Sequence, residues 1–163
     1  SLRHWFNILS WGWSKYNIEA GKIWGKVPYP LLKIHPGNET YVYDESAFNL
    51  MNYYEFISDQ YVSFYYTHHF VGAFFNKIPV FRKLKWREVA QVKGVIGNVT
   101  KENLAFSALP AGTYTTWKPY VEAGLGIENI FRIFRVDAVW RLSYYDHTDI
   151  NKFGVMVSMQ FDF

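Results

Sequence analysis

The sequence predicts an all-β protein: an antiparallel transmembrane β-barrel, of which this chain forms the C-terminal part. Three observations carry this reading: period-two alternation over long segments, aromatics gathered at segment ends, and polar side chains aligned opposite the apolar ones. The last eleven residues are the plainest case. Phe153, Val155, Val157, Met159, Phe161 and Phe163 fall on one face, while Gly154, Met156, Ser158, Gln160 and Asp162 fall on the other. Successive strand side chains point to opposite faces, so this is a strand with one apolar face.

The other strands follow in chain order. A weakly patterned one lies around His4 to Leu9. Next, Tyr16, Ile18 and Ala20 alternate with Lys15, Asn17, Glu19 and Gly21. Pro28 and Pro30, then His35-Pro36-Gly37-Asn38, open a long irregular excursion that reaches to about Phe56. The Pro-Gly-Asn turn within it is expected to fold the loop back over the barrel mouth. Val62, Phe64, Tyr66 and Phe70 then alternate with Ser63, Tyr65, Thr67 and His69. A second excursion, Ile78 to Lys85, carries the basic cluster Arg82, Lys83, Lys85 and Arg87. Ala90, Val92 and Ile96 oppose Gln91 and Lys93, with Gly94 and Gly97 marking a bend or a close backbone approach. Val121, Ala123, Leu125 and Ile127 oppose Tyr120, Glu122, Gly124 and Gly126. Finally Phe134, Val136, Ala138, Trp140, Leu142 and Tyr144 oppose Arg135, Asp137, Val139, Arg141 and Ser143, with Asp146-His147-Thr148-Asp149 as the hairpin turn into the last strand. Six or seven antiparallel strands result, and helical spacing is weak throughout.

Composition excludes several classes. The 163 residues include 7 Trp, 13 Tyr and 14 Phe, and aromatics (21%) exceed charged residues (19%), the reverse of a disordered chain. With no cysteine there is no disulfide scaffold, thiolate zinc site or Cys nucleophile. A formal charge of +3 is too mild to suggest nucleic acid. The longest uncharged run, 60–76, carries Gln60, Thr67, His68, His69 and Gly72 and fails as a spanning helix. The chain begins with Ser1 and carries no secretory signal, so it is expected to be a trimmed product or the tail of a longer polypeptide. Residues 1–163 are accordingly read as one domain, incomplete by itself.

Alternation leaves open which solvent the apolar face meets. A soluble lipocalin-type barrel would turn it inward around an apolar ligand, and a transmembrane barrel would turn it outward to lipid. Strand length favours the membrane, since about 9–11 residues are needed to cross a bilayer. So do the aromatics at strand ends: Trp11 and Trp13, Trp24, Trp86, Trp117 and Tyr120, Tyr144 and Tyr145. Arg135, Asp137 and Arg141 lie on one side of one strand, and a lipid-facing Arg near the midplane would cost about 2–4 kcal/mol. They are expected to point into the lumen and pair.

Several segments resemble a Bacteroidota outer-membrane family. They include Gly25-Lys26-Val27-Pro28-Tyr29-Pro30, His35-Pro36-Gly37-Asn38-Glu39-Thr40, Ala47-Phe48-Asn49-Leu50-Met51-Asn52-Tyr53-Tyr54-Glu55-Phe56, Lys83-Leu84-Lys85-Trp86-Arg87-Glu88, Tyr120-Val121-Glu122-Ala123-Gly124 and Gln160-Phe161-Asp162-Phe163. Members of that family are described as carboxypeptidase-regulatory-like domain proteins with an uncharacterised C-terminal barrel. The chain also resembles, more distantly, the end of BamA-type surface-antigen barrels, but lacks a Val-Arg-Gly-Phe-like loop motif. The resemblance implies a Gram-negative outer-membrane location and a part in outer-membrane biogenesis or export within an envelope complex. The expected partners are outer-membrane lipid and lipopolysaccharide, the barrel-assembly machinery and other envelope proteins. Phe153, Val155, Val157, Met159, Phe161 and Phe163 would form the C-terminal insertion signal. A structural or pore-forming barrel is the competing role.

No catalytic, cofactor or metal site is expected, and the protein is read as a non-enzyme. His68 and His69 point to opposite faces of a strand and cannot chelate one ion. Asp44, Glu45, Glu55 and Asp59 could form a loop calcium site, but a solvated extracellular loop is the favoured reading. Glu122 and Glu128 are lumen polar residues before they are a glycosidase pair. Ser10, Ser14 and Ser46 lack a nucleophile context. Lys83, Lys85 and Arg87 beside Trp86 are candidate contacts for anionic lipid head groups or lipopolysaccharide phosphates.

Overall fold

Period-two sequence becomes strand almost wherever it was expected. The computed structural model describes residues 1–160. In chain order they form β1 (Leu2–Asn7), β2 (Trp13–Lys22), β3 (Lys33–Ile34), β4 (Phe56–Ser58), β5 (Gln60–Phe70), α1 (Pro79–Leu84), β6 (Arg87–Asn98), α2 (Lys101–Phe106), β7 (Tyr114–Thr115), β8 (Tyr120–Ile130), β9 (Phe134–Arg141) and β10 (Phe153–Met159). One seven-stranded antiparallel sheet has the order β1-β2-β5-β6-β8-β9-β10. A small sheet, β3-β4-β7, gathers the two longest connections. β1 and β10 are the two edges of the large sheet, which does not close on itself among the described residues.

The register lines up side chains of one kind across the large sheet. One row runs His4, Tyr16, Tyr66, Val92, Ala123, Trp140 and Phe153. The adjacent row, one residue along and on the opposite face, runs Arg3, Asn17, Tyr65, Lys93, Glu122 and Arg141. The first row belongs to the exposed face: Leu125 is 61% and Val155 49% accessible. The second belongs to the buried face, where Lys93, Glu122 and Arg141 are 1–2% accessible. A water-soluble sheet distributes these the other way round.

The buried face is covered by the excursion between β2 and β5. Its residues Tyr43, Ala47, Phe48, Asn49, Leu50, Met51 and Glu55 are all buried. Phe48, Met51 and Phe56 pack on Val95 and Tyr120, and Tyr43 and Leu50 pack on Val139 and Met156. The segment touches six of the seven strands, from Lys15 on β2 (Nζ 2.8 Å from Glu45) to Val157 on β10. Tyr43 alone reaches β6, β9 and β10, which requires that face to be concave.

Three local expectations are revised. β9 stops at Arg141, so residues 142–152 form a longer connection than the four-residue turn suggested. The second excursion contains a helix, α1, started by Pro79 in its first turn and closed by Lys85 in the left-handed region (φ +57°). After β6 a second helix, α2, forms where no helical spacing was read. Both helices are too short to show a period in sequence.

Candidate functional site

The concave face and the segment lying on it hold most of the buried polar groups. Lys93 and Glu122 face each other in register on β6 and β8 and grip opposite poles of the segment's backbone. Lys93 Nζ donates to the carbonyls of Asp44 (2.7 Å) and Ala47 (2.6 Å). Glu122 accepts the amides of Asn49 (2.8 Å) and Leu50 (3.0 Å), and the Tyr120 hydroxyl at 3.2 Å. Charge-assisted hydrogen bonds of this kind are about twice as strong as neutral ones, and here they stand in for a sheet or helix ladder.

The turn that delivers the segment is built by its own side chains. Asn38 Nδ2 donates to Val42 O and Asn49 Oδ1, both at 2.8 Å, while its Oδ1 accepts the Thr40 amide at 2.9 Å. A Cβ on Gly37 would lie 2.5 Å from the carbonyl oxygens of Met51 and Asn52, so no larger residue fits there. The loop therefore folds back as the Pro-Gly-Asn turn suggested, but onto the concave face. Its return limb also pairs with the sheet edge: Val157 donates to Tyr41 O (2.9 Å) and accepts from the Tyr43 amide (3.0 Å).

The aligned charges expected on β9 are buried and paired, with one change of partner. Arg135 and Asp137 form a two-bond pair, 2.7 Å in each bond. Gln91 adds a bond to Asp137 at 3.3 Å. Arg141 pairs across the interior, with Nη2 to Glu55 Oε1 at 2.6 Å and Nη1 to Oε2 at 3.0 Å. His147 Nδ1 lies 2.8 Å from the same Oε1. Burial by itself would push the Glu55 carboxyl up, but the bonds from Arg141, Asn52 and His147 outweigh it and hold the group below its ordinary value. Tyr43 sits between the Lys93 ammonium (4.7 Å from its ring centre) and the Arg135 guanidinium (4.6 Å), and its hydroxyl donates to Gln91. Burial pushes that phenol up, which secures the proton it donates.

The remaining candidates are dispersed. Asp44 accepts from Ser46, Glu45 pairs with Lys15, Glu55 with Arg141, and Asp59 accepts from Thr100 and Asn103, so the four acids do not converge on one cation. His68 bonds Ser14 (2.7 Å) on the outer face, and His69 bonds Glu128 (2.9 Å) on the inner face, stacked on Trp13. Among the described residues no group of His, Asp and Glu could hold a metal ion. Trp11, Trp24 and Trp117 are exposed at strand ends, but Trp13 and Tyr120, expected beside them, belong to the concave face. Lys83, Lys85 and Arg87 are all exposed, the first two on the β5–β6 connection and Arg87 at the start of β6, opposite Glu128 in register. Phe153, Val155, Val157 and Met159 line the outer face of β10; Phe161 and Phe163 lie outside the described residues. Lys93 is the residue that strand reasoning undervalued. It satisfies the argument made for Arg135, a cation on the polar face in mid-strand.

An antiparallel sheet with apolar side chains outward and ion pairs inward, its concave face filled by its own loop, defines the class of this protein. The chain belongs to the DUF5686 family: residues 1–105 match its C-terminal domain, described as a family of unknown function. No curated protein and no solved structure matches the chain.

Proposed function

We propose that this chain is the C-terminal wall of an outer-membrane β-barrel, with its remaining strands supplied by another part of the polypeptide. The inverted polarity of the large sheet carries this reading. From β2 to β10 the outer face carries formal charge only at strand ends, on Lys22 and Glu88. Lipid rewards that pattern and water does not. β2, β5, β6 and β8, at 10 to 12 residues, are long enough to cross. The connections 23–59, 99–119 and 142–152 gather at one end; the short turns 8–12 and 131–133 lie at the other, together with the connection 71–86, and β10 also ends there. Barrels of this kind place short turns on the periplasmic side and long loops outside.

The filled concave face argues against a lipocalin-like ligand cavity and against an open pore. By its resemblance to a Bacteroidota envelope family, the barrel acts in outer-membrane biogenesis or export, alongside the assembly machinery and other envelope proteins, and without catalysis. The absence of cysteine makes the membrane reading easy to test. Single cysteines at Val92, Leu125, Ala138 and Val155, labelled with a fluorophore, should be quenched by lipid-borne quenchers, and cysteines at Gln91 and Val139 should not. Quenching of the first set by aqueous iodide, in a protein that stays monomeric without detergent, would sink it. For the biogenesis role, depletion should lower the levels of other outer-membrane proteins. Unchanged levels would leave a structural barrel.

A further inference from the structure

We infer that the short-turn rim is a docking surface for the anionic phospholipid head groups of the leaflet around it; this rests on the transmembrane reading above. Three connections form one continuous surface there. The Trp11 ring meets Phe74 at 6.4 Å, joining turn 8–12 to the β5–β6 connection, and Asn129 Nδ2 donates to Lys85 O at 2.6 Å, joining that connection to the β8–β9 turn. Lys77, Arg82, Lys83, Lys85 and Arg132 are all exposed on this surface, and none takes part in an ion pair among the described residues.

The two nearby carboxylates are bound to other groups and not to these cations. Glu88 Oε1 accepts the amides of Phe74 and Phe75 while its Oε2 is buried, and Glu128 is bound to His69. The opposite end of the sheet mixes Lys22, Lys26, Lys101, Lys118 and Lys152 with Glu39, Glu102, Asp146 and Asp149, so the excess of positive charge is greater at the short-turn rim. Between the cations stand Leu9 (97% accessible), Phe131 (82%), Val80 and Leu84. Apolar side chains set among long basic ones match the boundary between head groups and acyl chains. There the stems of Lys and Arg lie along hydrocarbon and their charges reach phosphate.

The test reconstitutes the full-length protein in phosphatidylcholine vesicles containing a trace of spin-labelled phosphatidylglycerol or phosphatidylcholine. The protein should associate with the phosphatidylglycerol probe several-fold more strongly. That preference should fall toward unity in the triple variant Arg82→Gln, Lys83→Gln, Lys85→Gln, and in the wild type at 1 M salt. All three side chains are exposed, and the heat-modifiable gel shift confirms that the variant is folded. Equal association of both probes with integrated wild-type protein overturns the inference alone, as does a preference for lipid A over phosphatidylglycerol. Protein that is stripped from the vesicles by carbonate overturns the transmembrane reading and the inference together.

Discussion

At the scale of single residues, the charges on the concave face are tied so closely to the loop that each cation has a definite partner to lose. Removing one member of a buried pair costs about 3–5 kcal/mol, because the other is left buried and uncompensated. Arg141→Met should therefore destabilise the protein by about that much in urea titrations in micelles, while Arg141→Met with Glu55→Leu should recover part of it. Two groups outside the sheet make stability depend on pH. His35 is buried with Nε2 3.0 Å from Ser58 Oγ, and burial lowers its pKa from 6.5 to about 4. The unfolded chain therefore takes up a proton first. Stability is intact above pH 6.5 and declines as pH falls toward 4, by about 3 kcal/mol at one pKa unit per 1.36 kcal/mol. Glu55 is depressed instead, so its contribution is present above its ordinary range and is lost only as pH falls through its lower folded value. Melting curves of wild type and His35→Gln should diverge between pH 6.5 and 4. Parallel curves would show that His35 does not titrate on unfolding.

At the scale of elements, strands and loops differ in how far they could be read. β5, β6 and β8 were legible because a half-buried strand repeats every two residues, whichever side is buried. α1 and α2, at six residues each, depend on their ends: Pro79 and Lys85 for one, Asp59 accepting the Thr100 amide (2.7 Å) for the other. The excursion was legible as irregular, and Asn38 as its turn, but its seat was not. Nothing in local sequence links Asn49 to Glu122 or Ala47 to Lys93, which lie 73 and 46 residues apart. Lys93→Met leaves the Asp44 and Ala47 carbonyls without their donor. Limited proteolysis of that variant in micelles should cut within residues 41–54, where the wild type resists, with the strands unchanged. Resistance equal to wild type would mean that Glu122 and the packing of Phe48 suffice.

At the scale of the whole molecule, the rows of the register turn a one-residue step into a change of solvent. Val92→Arg and Leu125→Arg put a cation on the outer face and should each cost about 2–4 kcal/mol of stability in bilayers. The same variants would cost far less if that face met water, where exposed substitutions usually change stability by about 0.5 kcal/mol or less. Folding titrations into phosphatidylcholine vesicles separate the two results.

The amino-acid sequence by itself determined the strands, which residues share a face, and that the charges of β9 lie together, because side-chain direction in a strand alternates with position alone. Only the tertiary structure decided which face is covered and by what. A strand pattern is identical under inversion, and the choice between its faces is made by Tyr43, Phe48, Asn49 and Glu55, residues distant in sequence that the strands meet only once folded. It also set Arg87 on β6 opposite Glu128, while Lys83 and Lys85 stay on the connection. A cluster contiguous in sequence divides between strand and connection when a strand begins in its midst.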